Sequence, residues 1–120
     1  MKLFYNMRIC AYCKIMNYQQ AKIRATALKA LAHPMRILIV DALRSGDRCV
    51  SEITALGSIN QSNVSRHLAT LKKAGIVSDR RIKNRVIYRL EAPSVLDTLE
   101  PAAEVARLDV KRRTEKIKKL

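Results

Sequence analysis

Chemistry in this chain is concentrated in three places. Cys10 and Cys13 form a C-x-x-C pair in the run Cys10-Ala11-Tyr12-Cys13, and Cys49 stands apart from them. Three thiols cannot all pair within one chain, and a chain of 120 residues builds a core without disulfides. They are therefore free thiols, metal ligands or redox groups, and Arg8, Lys14 and Arg48 nearby favour the thiolate form. A single C-x-x-C falls short of the two that an intrachain zinc knuckle takes. The second place is Gln61, Ser62, Asn63, Ser65, Arg66 and His67, a run of hydrogen-bonding side chains in which Gln and Arg are able to grip base edges bidentately. The third is Arg80, Arg81, Lys83 and Arg85, cations placed closely enough to follow a phosphate backbone or an adjacent minor groove. No nucleophile with a base beside it and no phosphate-binding glycine loop is visible, so no enzyme is expected.

Composition narrows the partner. The chain holds 24 Lys+Arg against 10 Asp+Glu, a formal charge of +14, a surplus that a polyanion relieves. Residues 61–91 alone carry eight basic against two acidic residues, and the last ten carry six against one. Aromatics make up 4% and Trp is absent, which argues against a base-stacking platform for single strands and leaves double-stranded DNA as the leading polyanion. No apolar run nears the ~20 residues that span a bilayer. The opening MKLFYNMRICAYCK is too polar for a secretory signal, so a cytoplasmic protein without a membrane partner is expected. Apolar residues at 48% suffice for one compact domain.

The elements that must position these groups follow from periodicity. From about Gln20 to Leu31 the residues Ile23, Ala27, Leu28 and Leu31 share a helical face. His33-Pro34 starts a second helix, buried through Ile37, Leu38, Val40 and Leu43, that stops at Ser45-Gly46. A short third helix runs from about Val50 to Leu56 on Val50, Ile53 and Leu56. Asn60 is an N-cap for a fourth helix over Gln61 to Ala74, whose stripe is Val64, Leu68 and Leu71 and whose stop is Gly75. That stripe leaves Gln61, Ser62, Asn63, Ser65 and Arg66 off the core side, near a helix N-terminus that favours phosphate. His67 lies on the helix flank, as a structural or phosphate-contacting residue rather than a metal ligand. Period-two runs from Ile76 to Ile82 and Arg85 to Leu90, joined by Lys83-Asn84, form a basic hairpin. A last helix resumes after Pro93 with Pro101 as a kink, and KRRTEKIKKL is a solvated, frayed end. The fold class is mainly α with a β-hairpin wing: a winged helix-turn-helix of about five helices. Residues 1–19 form a cysteine-containing arm, 20–110 the DNA-binding and dimerisation domain, and 111–120 a basic tail.

The segments ALKALAHPMRILIVDAL, DRCVSEI, NQSNVSRHLATLKKAGIVSDRR and NRVIYRL resemble the ArsR/SmtB family of metal-responsive repressors. The resemblance covers roughly residues 25 to 92. It implies a repressor that binds a double-stranded DNA operator through the fourth helix and forms a homodimer through its first and last helices. Thiolate sensors of that family place a C-V-C pattern at the third helix; here it reads Cys49-Val50-Ser51, so the implied ligand set is Cys10, Cys13 and Cys49. Three thiolates fit arsenite or antimonite best; cadmium or lead would need a fourth ligand, and zinc usually takes four. Asp97 and Asp109 lie in the last helix without a histidine, so the family's other site is rejected. The turn GSIN is one residue longer than this motif usually carries. The alternatives are a thiol redox switch and an unregulated DNA-binding or architectural protein.

Overall fold

The structure, a computed structural model, describes residues 15–56 and 61–120. Helix α1 (Tyr18–Leu31) starts at a reciprocal cap in which Asn17 accepts from the Gln20 N–H at 2.9 Å while the Gln20 side chain accepts from the Asn17 N–H at 3.0 Å. Only Ala30 and Leu31, at its far end, are buried. Of the shared apolar face only Leu31 reaches the core, while Ile23 and Leu28 are 70% and 57% exposed, because the helix meets the core only at its C-terminal end; they stay open as the surface that the expected dimer contact calls for.

His33 caps helix α2 (Pro34–Ala42), its Nδ1 accepting from the Met35 N–H at 3.1 Å, and Pro34 sits where its missing N–H costs nothing. The core takes Ile39 and Val40 from this helix, then Leu43 from the 3-10 turn Leu43–Ser45. Here the sequence reading is corrected: Leu38 is 55% exposed and Ile37 stays partly exposed, while Ile39 is the buried neighbour. A run that is apolar all round gives periodicity no face to choose. Gly46, at φ 142°, then turns the chain in a conformation that favours glycine.

A strand that the sequence reading did not foresee comes next, β1 (Arg48–Cys49), leading directly into helix α3 (Val50–Ala55). Leu56 lies beyond the end of α3 and is exposed, against expectation. Helix α4 (Gln61–Lys73) buries Val64, Leu68 and Leu71 completely. It ends in a Schellman turn, with Gly75 at φ 80°, the Ile76 N–H on the Leu71 carbonyl and the Gly75 N–H on the Lys72 carbonyl. Strands β2 (Val77–Ile82) and β3 (Arg85–Leu90) form the hairpin, and the antiparallel sheet has the order β1-β3-β2. Lys83, first in the Lys83-Asn84 turn, has φ 56°, a left-handed conformation costing a non-glycine residue about 1 kcal/mol.

The core is one cluster in which Leu31, Ile39, Val40 and Ile53 pack around Leu68 and Leu71, closed by Ile76 and Val77. A 3-10 stretch (Pro93–Thr98) leads to helix α5 (Leu99–Lys118). Pro101 falls in the first turn of α5, where no N–H is missed, so it starts the helix rather than kinking it. The basic tail is helical to Lys118 instead of frayed, and α5 buries no residue. Among the described residues no helix is long and apolar enough to cross a membrane.

Candidate nucleic-acid interface

Three buried anchors fix which side of α4 faces outward. With Val64, Leu68 and Leu71 at zero exposure, Ser62, Asn63, Ser65 and Arg66 are exposed, and Gln61 opens the helix. Arg66 Nη2 donates to Asn63 Oδ1, one turn earlier, at 3.1 Å, which steers the guanidinium along the exposed face. Helices α2 and α3 and strand β2 all pack on α4, so its rotation is set by the core. Asn60 and the turn 57–60 lie outside the described residues.

His67 is half-buried and engaged inside the protein. Its Nδ1 accepts from Arg36 Nε at 3.4 Å, and its ring centroid is 4.3 Å from that of His33. Burial, and then the neighbouring His33, Arg36 and Arg66, hold its pKa below the usual imidazole value. Arg36 was not among the sequence-derived candidates; it lies 31 positions from its partner, and no local pattern signals such a pair.

The wing divides its cations. Register places Arg80 opposite Ile87, Arg81 opposite Val86 and Ile82 opposite Arg85. Side chains two apart share a face, so Arg80 and Arg85 lie on one side of the hairpin, Arg81 on the other, and Lys83 at the tip. Arg89, exposed and two steps beyond Ile87, joins the Arg85 side and was missed, although the two-residue period contained it. Arg80 is paired with Asp47 at 3.2 Å, tying the wing to the turn before β1. Lys72, near the end of α4, bonds Asp79 of β2 at 2.9 Å, and that bond raises its pKa above the usual lysine value. Helix α4 and the wing thus hold one another through charge as well as packing.

Cys49 sits where β1 becomes α3. The residue is 3% exposed and faces Ile87 across the ladder. Its N–H and its Sγ both donate to Glu52 Oε1, at 3.2 and 3.0 Å, and Sγ is 3.0 Å from Ser51 Oγ. The thiol hydrogen bond first, then the backbone one, hold the Glu52 carboxyl below the usual range, with Arg48 and Arg85 adding to the effect. A cleft of about 240 Å³ beside the thiol is lined by Cys49, Val50, Ser51, Asn84, Arg85 and Val86. Cys10 and Cys13 lie outside the described residues. Among the described ones no three His, Cys, Asp or Glu side chains cluster tightly enough to hold a metal.

Comparison with known proteins agrees with this geometry. Residues 33–79 match the model of the family described as bacterial regulatory protein, arsR family. The HTH-type transcriptional regulator Rv0081 of Mycobacterium tuberculosis (strain ATCC 25618 / H37Rv) is 39% identical over 85 residues, covering 70% of this chain and 75% of that protein. The crystal structure of Rv0081 superposes with a TM-score of 0.65 at 34% identity, over 82% of this chain and 99% of that one. The HTH-type transcriptional repressor SmtB of the same organism is 45% identical over 83 residues, which are 66% of this chain and 62% of SmtB. The solution structure of the homodimeric winged helix-turn-helix DNA-binding domain Mb0332 from Mycobacterium bovis gives a TM-score of 0.63 at 28% identity, covering 83% of this chain and 94% of that domain. An α4 face held outward by three buried anchors, a hairpin wing beside it and these relatives agree: the chain belongs to the ArsR family of bacterial regulatory proteins, whose members are DNA-binding transcriptional regulators and not enzymes.

Proposed function

We propose that the protein is a homodimeric repressor that occupies a double-stranded DNA operator through α4 and the wing and is released when a thiophilic metalloid or metal binds its cysteines. The observation that carries the first half is the exposed face of Ser62, Asn63, Ser65 and Arg66 opposite three fully buried anchors. Gln61, Asn63 and Arg66 read base edges in the major groove, Ser62 and Ser65 allow close approach, and Arg81, Lys83 and Arg85 take phosphate or minor groove. Arg80 and His67, engaged with Asp47 and Arg36, contribute less directly. A DNA-bound protein of this kind works in the cytoplasm.

Dimerisation follows from apolar surface that a single copy leaves open: Ile23 and Leu28 on α1, and Val105, Leu108, Val110 and Ile117 on α5. Mb0332, a structural relative, is described as homodimeric. Two copies supply two half-sites, which one winged helix lacks.

The donor set for release is Cys10, Cys13 and Cys49. Three thiolates favour arsenite; cadmium, lead or zinc would recruit a further ligand, for which Glu52, already on the Cys49 thiol, is the nearest described candidate. Cys49 begins α3, which packs on α4, and pairs with Ile87 of the wing. Binding that displaces Cys49 therefore acts on both DNA-contacting elements, and DNA opposes the ion by the same factor that the ion opposes DNA. Oxidation of the same thiols is the second reading, resting on the three cysteines of the sequence, any two of which suffice for a disulfide.

The test is operator release in reducing buffer, titrated with arsenite, cadmium, lead and zinc, and then with an oxidant. Release by arsenite that Cys49→Ser abolishes supports the three-thiolate site. Release by oxidant alone transfers the protein to the redox reading, and no release by any agent makes it an unregulated DNA-binding protein.

A further inference from the structure

The C-terminus of α1, the start of α2 and the flank of α4 meet at one side chain. Arg36 Nη1 donates to the carbonyl oxygens of Lys29 at 3.2 Å and Ala30 at 3.1 Å, in the last turn of α1 where carbonyls run out of intrahelical partners; the Lys29 oxygen also accepts from the Ala32 N–H at 3.2 Å. Its Nε donates to His67 Nδ1 at 3.4 Å. His67 in turn packs against His33, whose own Nδ1 is taken by the Met35 N–H. A nitrogen that accepts carries no proton, so the Arg36 contact places the proton of His67 on Nε2. Burial of the ring, its neighbour His33 and the cations Arg36 and Arg66 all oppose a second proton on His67.

The guanidinium is suited to this junction and an ammonium is not. Donors on Nη1 and Nε diverge from a rigid plane, so one side chain reaches two carbonyls on α1 and a ring on α4 at once. The burial that joins these helices is separate: Leu31, Ile39, Val40, Leu68 and Leu71 pack without help from Arg36. What Arg36 adds is orientation. The helix that carries Ile23 and Leu28 uncovered is joined by hydrogen bonds to the helix that carries Arg66.

We infer that Arg36 is a positioning residue for DNA binding: acting through His67, it fixes the orientation of α4 against α1, so that the helix reading DNA is held by the helix that meets a second copy. This rests on α4 being the DNA-reading helix. Shifts of α1 on dimerisation or effector binding then reach the DNA face through the guanidinium, and Arg36 touches no base itself.

The experiment measures binding of Arg36→Gln, Arg36→Lys and Arg36→Gln/His67→Gln to an operator selected from a random duplex library and to a scrambled duplex, over a salt series. Melting temperature, dimer mass and the ¹⁵N shifts of His67 are recorded on the same samples. Arg36→Gln should weaken operator binding by about twofold to thirtyfold, the range for residues that couple sites without touching a ligand. Scrambled-duplex affinity and the salt slope should hold, and His67 Nδ1 should lose its uniformly unprotonated signature. Arg36→Lys, which keeps the charge, should not restore the preference, and the double variant should cost no more than Arg36→Gln alone. A shallower salt slope on both duplexes would make Arg36 a phosphate contact and overturn the inference. A lower melting temperature with an unchanged operator-to-scrambled ratio would make it structural only, with the same result. Arg66→Ala is measured in parallel: if it lowers the ratio while Arg36→Gln does not, the inference alone fails. If neither does, the reading of α4 fails first.

Discussion

Replacing Arg66 with alanine separates sequence reading from docking. The guanidinium lies on the side of α4 away from Val64, Leu68 and Leu71, with Asn63 Oδ1 at 3.1 Å. Truncation therefore leaves the core intact, and the change in stability should stay within about 0.5 kcal/mol. The loss falls on binding. A bidentate grip on a base pair is worth about 1–3 kcal/mol, or about fivefold to 150-fold for each half-site. Two independent half-sites add, giving about 2–6 kcal/mol for a dimer on its operator. Fluorescence anisotropy with operator and scrambled duplexes, from about 50 to 200 mM salt, reads both affinity and slope. The operator should lose most of its advantage while the slope is retained. Equal loss on both duplexes, with a slope shallower by about 0.9 per copy, would refute base reading and assign Arg66 to phosphate. Asn63→Ala removes both a base-reading amide and the acceptor that steers Arg66, so it too should weaken binding to the operator and leave the scrambled duplex unchanged.

Three further outcomes follow from the same geometry. Leu68→Ala empties a fully buried position and should cost about 3 kcal/mol, lowering the melting temperature by about 15 °C at fixed protein concentration; a shift of only a few degrees would contradict the placement of α4 on the core. His67 has its pKa depressed below 6.5 in the fold, so the unfolded chain binds its proton first as pH falls. Its contribution to stability is present above about pH 6.5 and is lost as pH drops through the folded value. His67→Gln should flatten that part of the stability profile, and an unchanged acid limb would show that His67 is not its source. Arg85→Ala should take about 0.9 per copy off the salt slope on any duplex, whereas Arg80→Ala, whose charge Asp47 already offsets, should leave it unchanged; equal effects would mean that Arg80 abandons Asp47 for phosphate.

How much of this was legible in the chain depended on whether a pattern was local and one-sided. The stripe Val64, Leu68 and Leu71 repeats at helical spacing among polar residues, so its buried face could be read directly and the exposed face by subtraction. The hairpin was legible because the period changes to two after Gly75. In contrast, Ile37 to Val40 is apolar on every side, and only packing against α4 selects Ile39 over Leu38. Strand β1 spans two residues, too few to carry a period. Which wing cations share a side depends on the register, and the pairings Arg36 with His67 and Arg80 with Asp47 join positions 31 and 33 apart. The helicity of the tail was available and underweighted, since Lys, Arg and Glu are good helix formers and no Gly or Pro interrupts residues 102–120. The two N-terminal cysteines, outside the described residues, stay with the sequence argument alone.

If the proposed dimer forms through α1 and α5, these arms make the amount of active protein a steep function of the amount of chain. One helix roots only Ala30 and Leu31 and the other buries nothing, and most helical stability in proteins comes from packing of an apolar face. On the proposed dimer a second copy supplies their order, so dilution should erode ellipticity by mass action long before the central cluster melts. Where pairing is weak, the concentration of operator-competent dimer rises with the square of the chain concentration. Halving expression would then remove about three-quarters of that dimer, and the switch would have a dose threshold written into helices that touch no DNA.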